Sequence, residues 1–168
     1  MDYIIRPMHK SEYHLLEDFQ YEALFVKEGE PPFPRSIIKE PVFWNFITNF
    51  GKPGDFCLVA EADGKAVGAV WGGLPCGEAR GYGYVDEETL EIGISVFKEY
   101  RGKGIGTALM VEVINVLKNQ QYKQVSLSVQ KENYAHKIYR NVGFQVVYEN
   151  NEEFIMVCPL IPKDKRRL

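Results

Sequence analysis

The spacing of apolar residues along the chain switches between a helical and an extended period. Within residues 10–26, Leu16, Phe19 and Ala23 recur at i, i+3 and i+7, the mark of a helix with one buried face, and Ser11 offers a hydroxyl as its N-cap. A shorter helix is expected from Pro41, tolerated at a first helical position, to Phe50, burying Phe43, Phe46, Ile47 and Phe50 before Gly51 ends it. The intervening EGEPPFPRS, residues 28–36, reads as a loop because its prolines remove backbone donors and helical geometry. Extended period appears at Tyr3–Arg6, then over residues 55–61 and 66–72, joined at Asp63-Gly64, a pair suited to a tight hairpin turn. Residues 75–86 form a loop, and Thr89–Val96 a strand with Ile92, Ile94 and Val96 on one face. The strongest helical pattern runs from Ile105 to Lys118, where Ile105, Leu109, Met110, Val113, Ile114, Val116 and Leu117 fill one half of the helical wheel. There follow a strand carrying Val125, Leu127 and Val129, a short helix from Glu132 to Val142 stopped by Gly143, and strands Phe144–Glu149 and Glu153–Cys158 around an Asn150-Asn151 turn. The order βααβββαβαββ implies an α/β mixed sheet with helices on its faces, since strand-helix-strand units need crossover connections.

Composition narrows the classes of function. At 168 residues and 45% apolar content the chain is expected to form one domain, residues 1–168, with a core of its own and a basic tail at 160–168. Twenty Lys and Arg against 23 Asp and Glu give a net charge of −3, so there is no global basic field to hold a nucleic-acid backbone. Cys57, Cys76 and Cys158 are odd in number and far apart, which offers neither a disulfide framework nor a metal knuckle and points to a reducing, cytoplasmic setting. His9 and His14 lack ligand spacing to any Cys or acid, so no metal site is expected. No window approaches the roughly 20 apolar residues of a membrane span, and the N-terminus lacks a basic segment followed by an apolar one, so neither membrane attachment nor export is expected.

Candidate chemistry concentrates in VFKEYRGKGIGTAL, residues 96–109, where a strand ends and three glycines open the best helix. Glycines at a helix start let the backbone approach an anion, and unpaired N–H groups at the positive dipole end attract phosphate. A Walker loop would need Lys-Ser/Thr after the last glycine, and a dinucleotide fingerprint would need glycine in place of Thr107. On glycines alone, Gly102, Gly104 and Gly106 serve equally well to permit a tight turn and close helix-sheet packing.

With a second motif the pattern becomes specific. Arg101, Gly104 and Gly106 fill Arg/Gln-x-x-Gly-x-Gly/Ala, and Asn133, Ala135 (one position early), Tyr139, Gly143 and Phe144 follow an N-x-x-A-x-x-x-Y-x-x-x-G-F pattern. Together they resemble the GNAT superfamily of N-acetyltransferases, in detail over Thr89–Cys158. The resemblance implies a mostly antiparallel sheet of about seven strands, splayed at a cofactor cleft and flanked by about four helices. It implies acetyl-CoA as co-substrate, with no metal, and direct transfer of the acetyl group to an amine in a ternary complex. The backbone from Gly102 through Lys103, Gly104, Ile105 and Gly106 to Thr107, with Arg101, would hold the pyrophosphate. Ser95, Val96 and Phe97 would pair with the pantetheine amides, with a backbone N–H near Val96 facing the thioester oxygen. Asn133 would touch the cofactor, and Tyr139 would protonate the departing thiolate. Glu91 stands where some relatives place the acid that deprotonates the amine.

Each assignment has a plainer competitor. Tyr139 also fits as a half-buried helix aromatic, Asn133 as a helix cap, Glu91 as a solvent-facing strand residue and His136 as an exposed helix residue. No cysteine reads as a covalent nucleophile. A CoA-binding or protein-interaction module without catalysis is the competing function. Glu28, Glu30, Asp86, Glu87 and Glu88, in the loops expected to face the acceptor, hint at a cationic amine. Antibiotic, polyamine, amino acid and protein N-terminus all stay open as acceptors, and a homodimer stays open as the assembly.

Overall fold

The computed structural model describes residues 1–161. One sheet of seven strands organises them: β1 (Ile4–Pro7), β2 (Phe56–Ala62), β3 (Lys65–Gly73), β4 (Leu90–Val96), β5 (Gln124–Gln130), β6 (Gln145–Glu149) and β7 (Glu153–Pro159). Their order is β1-β2-β3-β4-β5-β7-β6. Every neighbouring pair is antiparallel except β4 and β5. The expected hairpin turn between β2 and β3 forms with Asp63 at φ 51° and Gly64 at φ 73°, the two positive values such a turn requires.

Four helices cover the sheet: α1 (Leu16–Glu22), α2 (Pro41–Trp44), α3 (Ile105–Asn119) and α4 (Ala135–Asn141). Alternation along each strand divides the core into two. Leu58 and Ala60 of β2 and Leu90 and Ile92 of β4 face Leu109, Met110 and Val113 of α3, joined by Tyr139 of α4. Cys57 and Val59 of β2 and Trp71 of β3 face Leu16 and Phe19 of α1 on the other side. Leu160, expected at the start of the basic tail, is buried in the first of these cores, and the tail from residue 162 onward lies outside the described residues.

Two elements differ from the apolar pattern. The helix expected over residues 10–26 begins as a 3-10 helix, Lys10–Leu15, and is α-helical only from Leu16 to Glu22. Its start is fixed by Glu12 rather than Ser11: the Glu12 carboxylate accepts the His9 N–H at 2.8 Å and is gripped by Arg6, whose Nε also reaches Glu61 at 2.6 Å. The helix expected from Pro41 to Phe50 keeps only its first turn, Pro41–Trp44. Beyond Trp44 the chain continues in turns, with Phe43 5.9 Å from the Tyr82 ring and Phe50 edge-on to Tyr13 at 4.9 Å.

Phe19 ties α1 to β4, and through it to the site. Its ring is fully buried against Trp71 and Phe97, and its carbonyl accepts the Ser95 hydroxyl at 2.8 Å. Truncating a buried aromatic removes transfer free energy and leaves a cavity, so Phe19→Ala is expected to cost about 3–5 kcal/mol of unfolding free energy. Phe19→Leu should cost less than half of that. Urea titration checks both, and a loss below about 1 kcal/mol in the alanine variant would show that α1 is not held through this ring.

Candidate active site

The parallel pair β4–β5 is hydrogen-bonded at only two positions, Leu90↔Val125 and Glu91↔Ser126, after which the strands part. Backbone groups alternate along a strand, and the Phe97 N–H points to β3, where it donates to the Val67 carbonyl at 2.9 Å. The N–H and C=O of Ile94 and Val96 therefore turn the other way, toward the gap. The splay expected from the sequence is thus present, with an unpaired strand edge along it.

A cleft of about 810 Å³ opens at this gap. Its floor is Ile94, Ser95 and Val96, and one end is the start of α3 with Arg101, Gly102, Gly104, Ile105, Gly106 and Thr107. Gly102 and Gly104 have φ of 73° and 82°, a left-handed backbone that glycine adopts without cost, whereas Gly106 has an ordinary helical backbone. Gly104 is the N-cap and supplies no side chain to the helix, so the first-turn N–H groups of α3 have no intrahelical partner and face outward. This is the geometry for an anion at the positive end of the helix dipole.

The Arg101 side chain works inward. Its Nε donates to the Val96 carbonyl at 2.8 Å and its Nη2 to the Glu22 carboxylate at 2.6 Å, fastening the glycine loop to the ends of β4 and α1. Lys103 does not line the cleft; its ammonium donates to the Glu99 carbonyl at 3.0 Å. Phe97 does not line it either, since its N–H is spent on β3 and its ring stacks on Phe19 at 4.9 Å.

Tyr139 and Asn133 close the α4 side of the cleft. The Tyr139 hydroxyl makes no hydrogen bond among the described residues, and burial pushes it up to about 12, so it stays protonated at neutral pH. The Asn133 side chain accepts the Ala135 N–H at 3.0 Å, which makes it a cap for α4 as well as a cleft residue. His136 stays outside, half-buried and edge-on to Phe154 at 5.5 Å.

Glu91 stands apart from the cleft lining. It is buried on the α1 side of β4, its carboxylate accepts the Gly83 N–H at 2.7 Å, and it lies in a narrow pocket of about 30 Å³ with Lys52, Asp55, Arg80 and Tyr84. Removal from water penalises the carboxylate and pushes it up to about 7, the Gly83 bond opposing that only in part. The solvent-facing alternative for Glu91 is therefore excluded.

Sequence reading missed the opposite wall. With α1 ending at Glu22, residues 21–26 together with Glu30, Pro32 and Phe33 line the cleft, and the Tyr21 hydroxyl holds the turn by donating to the Phe33 carbonyl at 2.6 Å. Nothing in the apolar spacing through Val26 signals that stop. The acidic loop before β4 is bonded internally. Glu87 pairs with Arg80 at 2.7 Å and accepts the Tyr84 hydroxyl, Glu88 pairs with Lys123, and Asp86 accepts the Thr89 hydroxyl at 2.7 Å. These acids take part in holding the loop.

Burial pushes the Cys57 and Cys158 thiols up, away from nucleophilic thiolate. Among the described residues no helix is long and apolar enough to cross a membrane.

The profile of the acetyltransferase (GNAT) family matches residues 14–144. Over 171 residues the chain is 29% identical to an uncharacterised N-acetyltransferase of Methanocaldococcus jannaschii, covering 96% of this chain and 94% of the relative. Its fold is similar to that of the PaiA N-acetyltransferase of Thermoplasma acidophilum, solved in complex with coenzyme A (TM-score 0.68, 19% identity, 95% of this chain and 99% of that one). It is also similar to yncA of Salmonella typhimurium, solved with its cofactor acetyl-CoA (TM-score 0.67, 16% identity, 97% and 96%). A seven-stranded sheet parted between β4 and β5, a glycine-opened helix at the end of the gap and a family match across most of the chain converge on one conclusion: the chain belongs to the acetyltransferase (GNAT) family.

Proposed function

We propose that the chain, acting as a single domain, transfers the acetyl group of acetyl-CoA to an amine by direct attack. The observation that carries this reading is the unpaired β4 edge running from the start of α3 to Tyr139 within one cleft. An extended, amide-bearing cofactor arm can add to such an edge as a strand would, while its pyrophosphate takes the first-turn N–H groups of α3. The gap-facing N–H of β4 near Val96 then meets the thioester oxygen and stabilises the oxyanion that forms on attack. Tyr139, protonated and with its hydroxyl free, donates to the leaving thiolate. Glu91, half-ionised near neutral pH, accepts the proton from the acceptor's ammonium.

The acceptor is an amine small or slender enough for its nitrogen to enter the pocket at Glu91. The rim there carries both signs, Lys52 and Arg80 against Asp55, so it does not select for a multiply cationic amine. A monoamine, or an amine that also carries a carboxylate, fits this balance best.

Cofactor binding is tested at Gly104. Gly104→Glu should remove most CoA affinity through like-charge repulsion, whereas Gly104→Ala carries the same backbone strain without the charge and should lose far less. Calorimetry on both folded variants checks this, and equal affinities in Gly104→Glu and the parent would reject the phosphate assignment.

Tyr139→Phe deletes the proton and keeps the ring. Turnover should fall by about 10²- to 10⁴-fold with CoA affinity nearly intact. Parent-like turnover of the Phe variant with a competent amine would return Tyr139 to the core.

For Glu91 the sign of the pH effect can be worked out. Its pKa is higher folded than in the unfolded chain, so the folded state binds more protons between the two values, and stability falls as pH rises from about 4.5 to about 7. Glu91→Gln escapes that loss. It should therefore be more stable than the parent at pH 8, by up to about 3 kcal/mol, with the advantage vanishing near pH 4. Its turnover should fall at least about tenfold at neutral pH and partly recover at higher pH, as free amine supplies itself. Superimposable rate profiles for parent and variant would assign deprotonation to solvent.

A further inference from the structure

The loop between β3 and β4 contains three glycines; Gly77 has a positive φ of 72°, whereas Gly81 and Gly83 do not have the backbone that would call for glycine. Their surroundings supply a different reason. A methyl group at Gly81 would overlap both oxygens of the Glu91 carboxylate. One at Gly83 would stand 2.9 Å from Glu91 Oε1, 2.7 Å from the Leu127 carbonyl carbon and 2.8 Å from the Ser128 nitrogen. These distances are shorter than van der Waals contact allows, so the backbone at both positions lies directly against the carboxylate, and at Gly83 it is also wedged against β5 where β5 leaves β4.

The two carboxylate oxygens are treated unequally. Oε1 accepts the Gly83 N–H at 2.7 Å, and Oε2 accepts no hydrogen bond among the described residues. Glu91 reaches the narrow pocket with Lys52, Asp55, Cys76, Arg80 and Tyr84, the titratable groups that face it there; β5 and β3 present only Ser126, Leu127, Ser128, Gly72 and Gly73 nearby. None of those charged groups bonds to the carboxylate. Lys52 is paired with Asp55 at 3.2 Å and Arg80 with Glu87 at 2.7 Å. Between the glycines, Tyr82 lies on the outside, 5.9 Å from the Phe43 ring of α2.

We propose that Gly81-Tyr82-Gly83 is a positioning strap for Glu91, pinning Oε1 through the Gly83 N–H, excluding water with the Gly81 backbone and leaving Oε2 to meet the acceptor's ammonium. The proposal rests on the reading of Glu91 as the base. It assigns to a loop of no recognisable motif the job of making a strand carboxylate both oriented and basic enough to act near neutral pH. Tyr82 packs at a tilt against Phe43 of α2 and anchors the strap from outside, so the acceptor side of the molecule and the base are joined by one short segment.

Gly81→Ala places a methyl group where the carboxylate oxygens lie, so the strap and the carboxylate must part and water is admitted between them. The Glu91 side chain, followed by carbon-13 carboxyl NMR in the free protein and assigned with Glu91→Gln, should then titrate about one unit or more lower than in the parent. The acidic limb of kcat/KM should move by the same amount. Tyr82→Ala, which removes only the outer anchor, should shift both in the same direction by less, and it keeps the test available if Gly81→Ala does not fold. The NMR titration requires no turnover, so it reports on the strap independently of Glu91's role. An unmoved Glu91 titration in the folded variants overturns the strap. A moved titration beside an unmoved rate profile supports the strap as the element that positions Glu91 and overturns Glu91 as the base.

Discussion

A backbone that leaves a sheet unpaired must satisfy its polar groups elsewhere, and in this protein that constraint falls on the two central strands. β4 and β5 share two residue pairs and then diverge, while their outer edges stay fully paired to β3 and β7. The gap-facing N–H and C=O of Ile94 and the N–H of Val96 are thus presented to a cleft rather than to a neighbouring strand, the Val96 carbonyl being taken by Arg101. An unpaired edge of this kind is a recognition surface for any ligand with amides in extended spacing. The rest of the site is arranged around it.

Arg101 shows how the surrounding elements are kept in register with that edge. By bonding the Val96 carbonyl and the Glu22 carboxylate together, it joins the end of β4, the end of α1 and the glycine loop at one point. The loop's anion-binding property resides in its backbone and in the orphan N–H groups of α3, so the arginine is free for this structural duty. Ser95 and Phe19 make a second link between the same strand and helix, buried where the first is exposed.

Burying Glu91 has an electrostatic cost, because a carboxylate loses hydration and gains only one backbone hydrogen bond. No cation is placed to offset it, although Lys52 and Arg80 are close enough to line the same pocket. Glu12 is treated in the opposite way: it is gripped by Arg6 and held down at about 2. The contrast separates an acid that stabilises the fold from one kept poised to exchange a proton.

The order of strands and helices, the α3 face and the glycine loop were all determined by the sequence alone, because each depends on local period, on turn chemistry or on a short motif. The motif picked out Tyr139 and Asn133, which line the cleft, and the resemblance to the family picked out Glu91, whose burial the strand pattern did not reveal. Tertiary structure decided where α1 stops, since Tyr21 and Glu22 end it through contacts to Phe33 and Arg101 that no spacing rule contains. It also ended the helix that starts at Pro41 after Trp44, a stop that the apolar spacing through Phe50 does not contain. The roles of Gly81 and Gly83 were invisible in the sequence, where they look like ordinary loop glycines. Their need for glycine arises only when the loop folds back onto Glu91 and β5, a close approach between segments that are separated along the chain and meet only in the folded molecule.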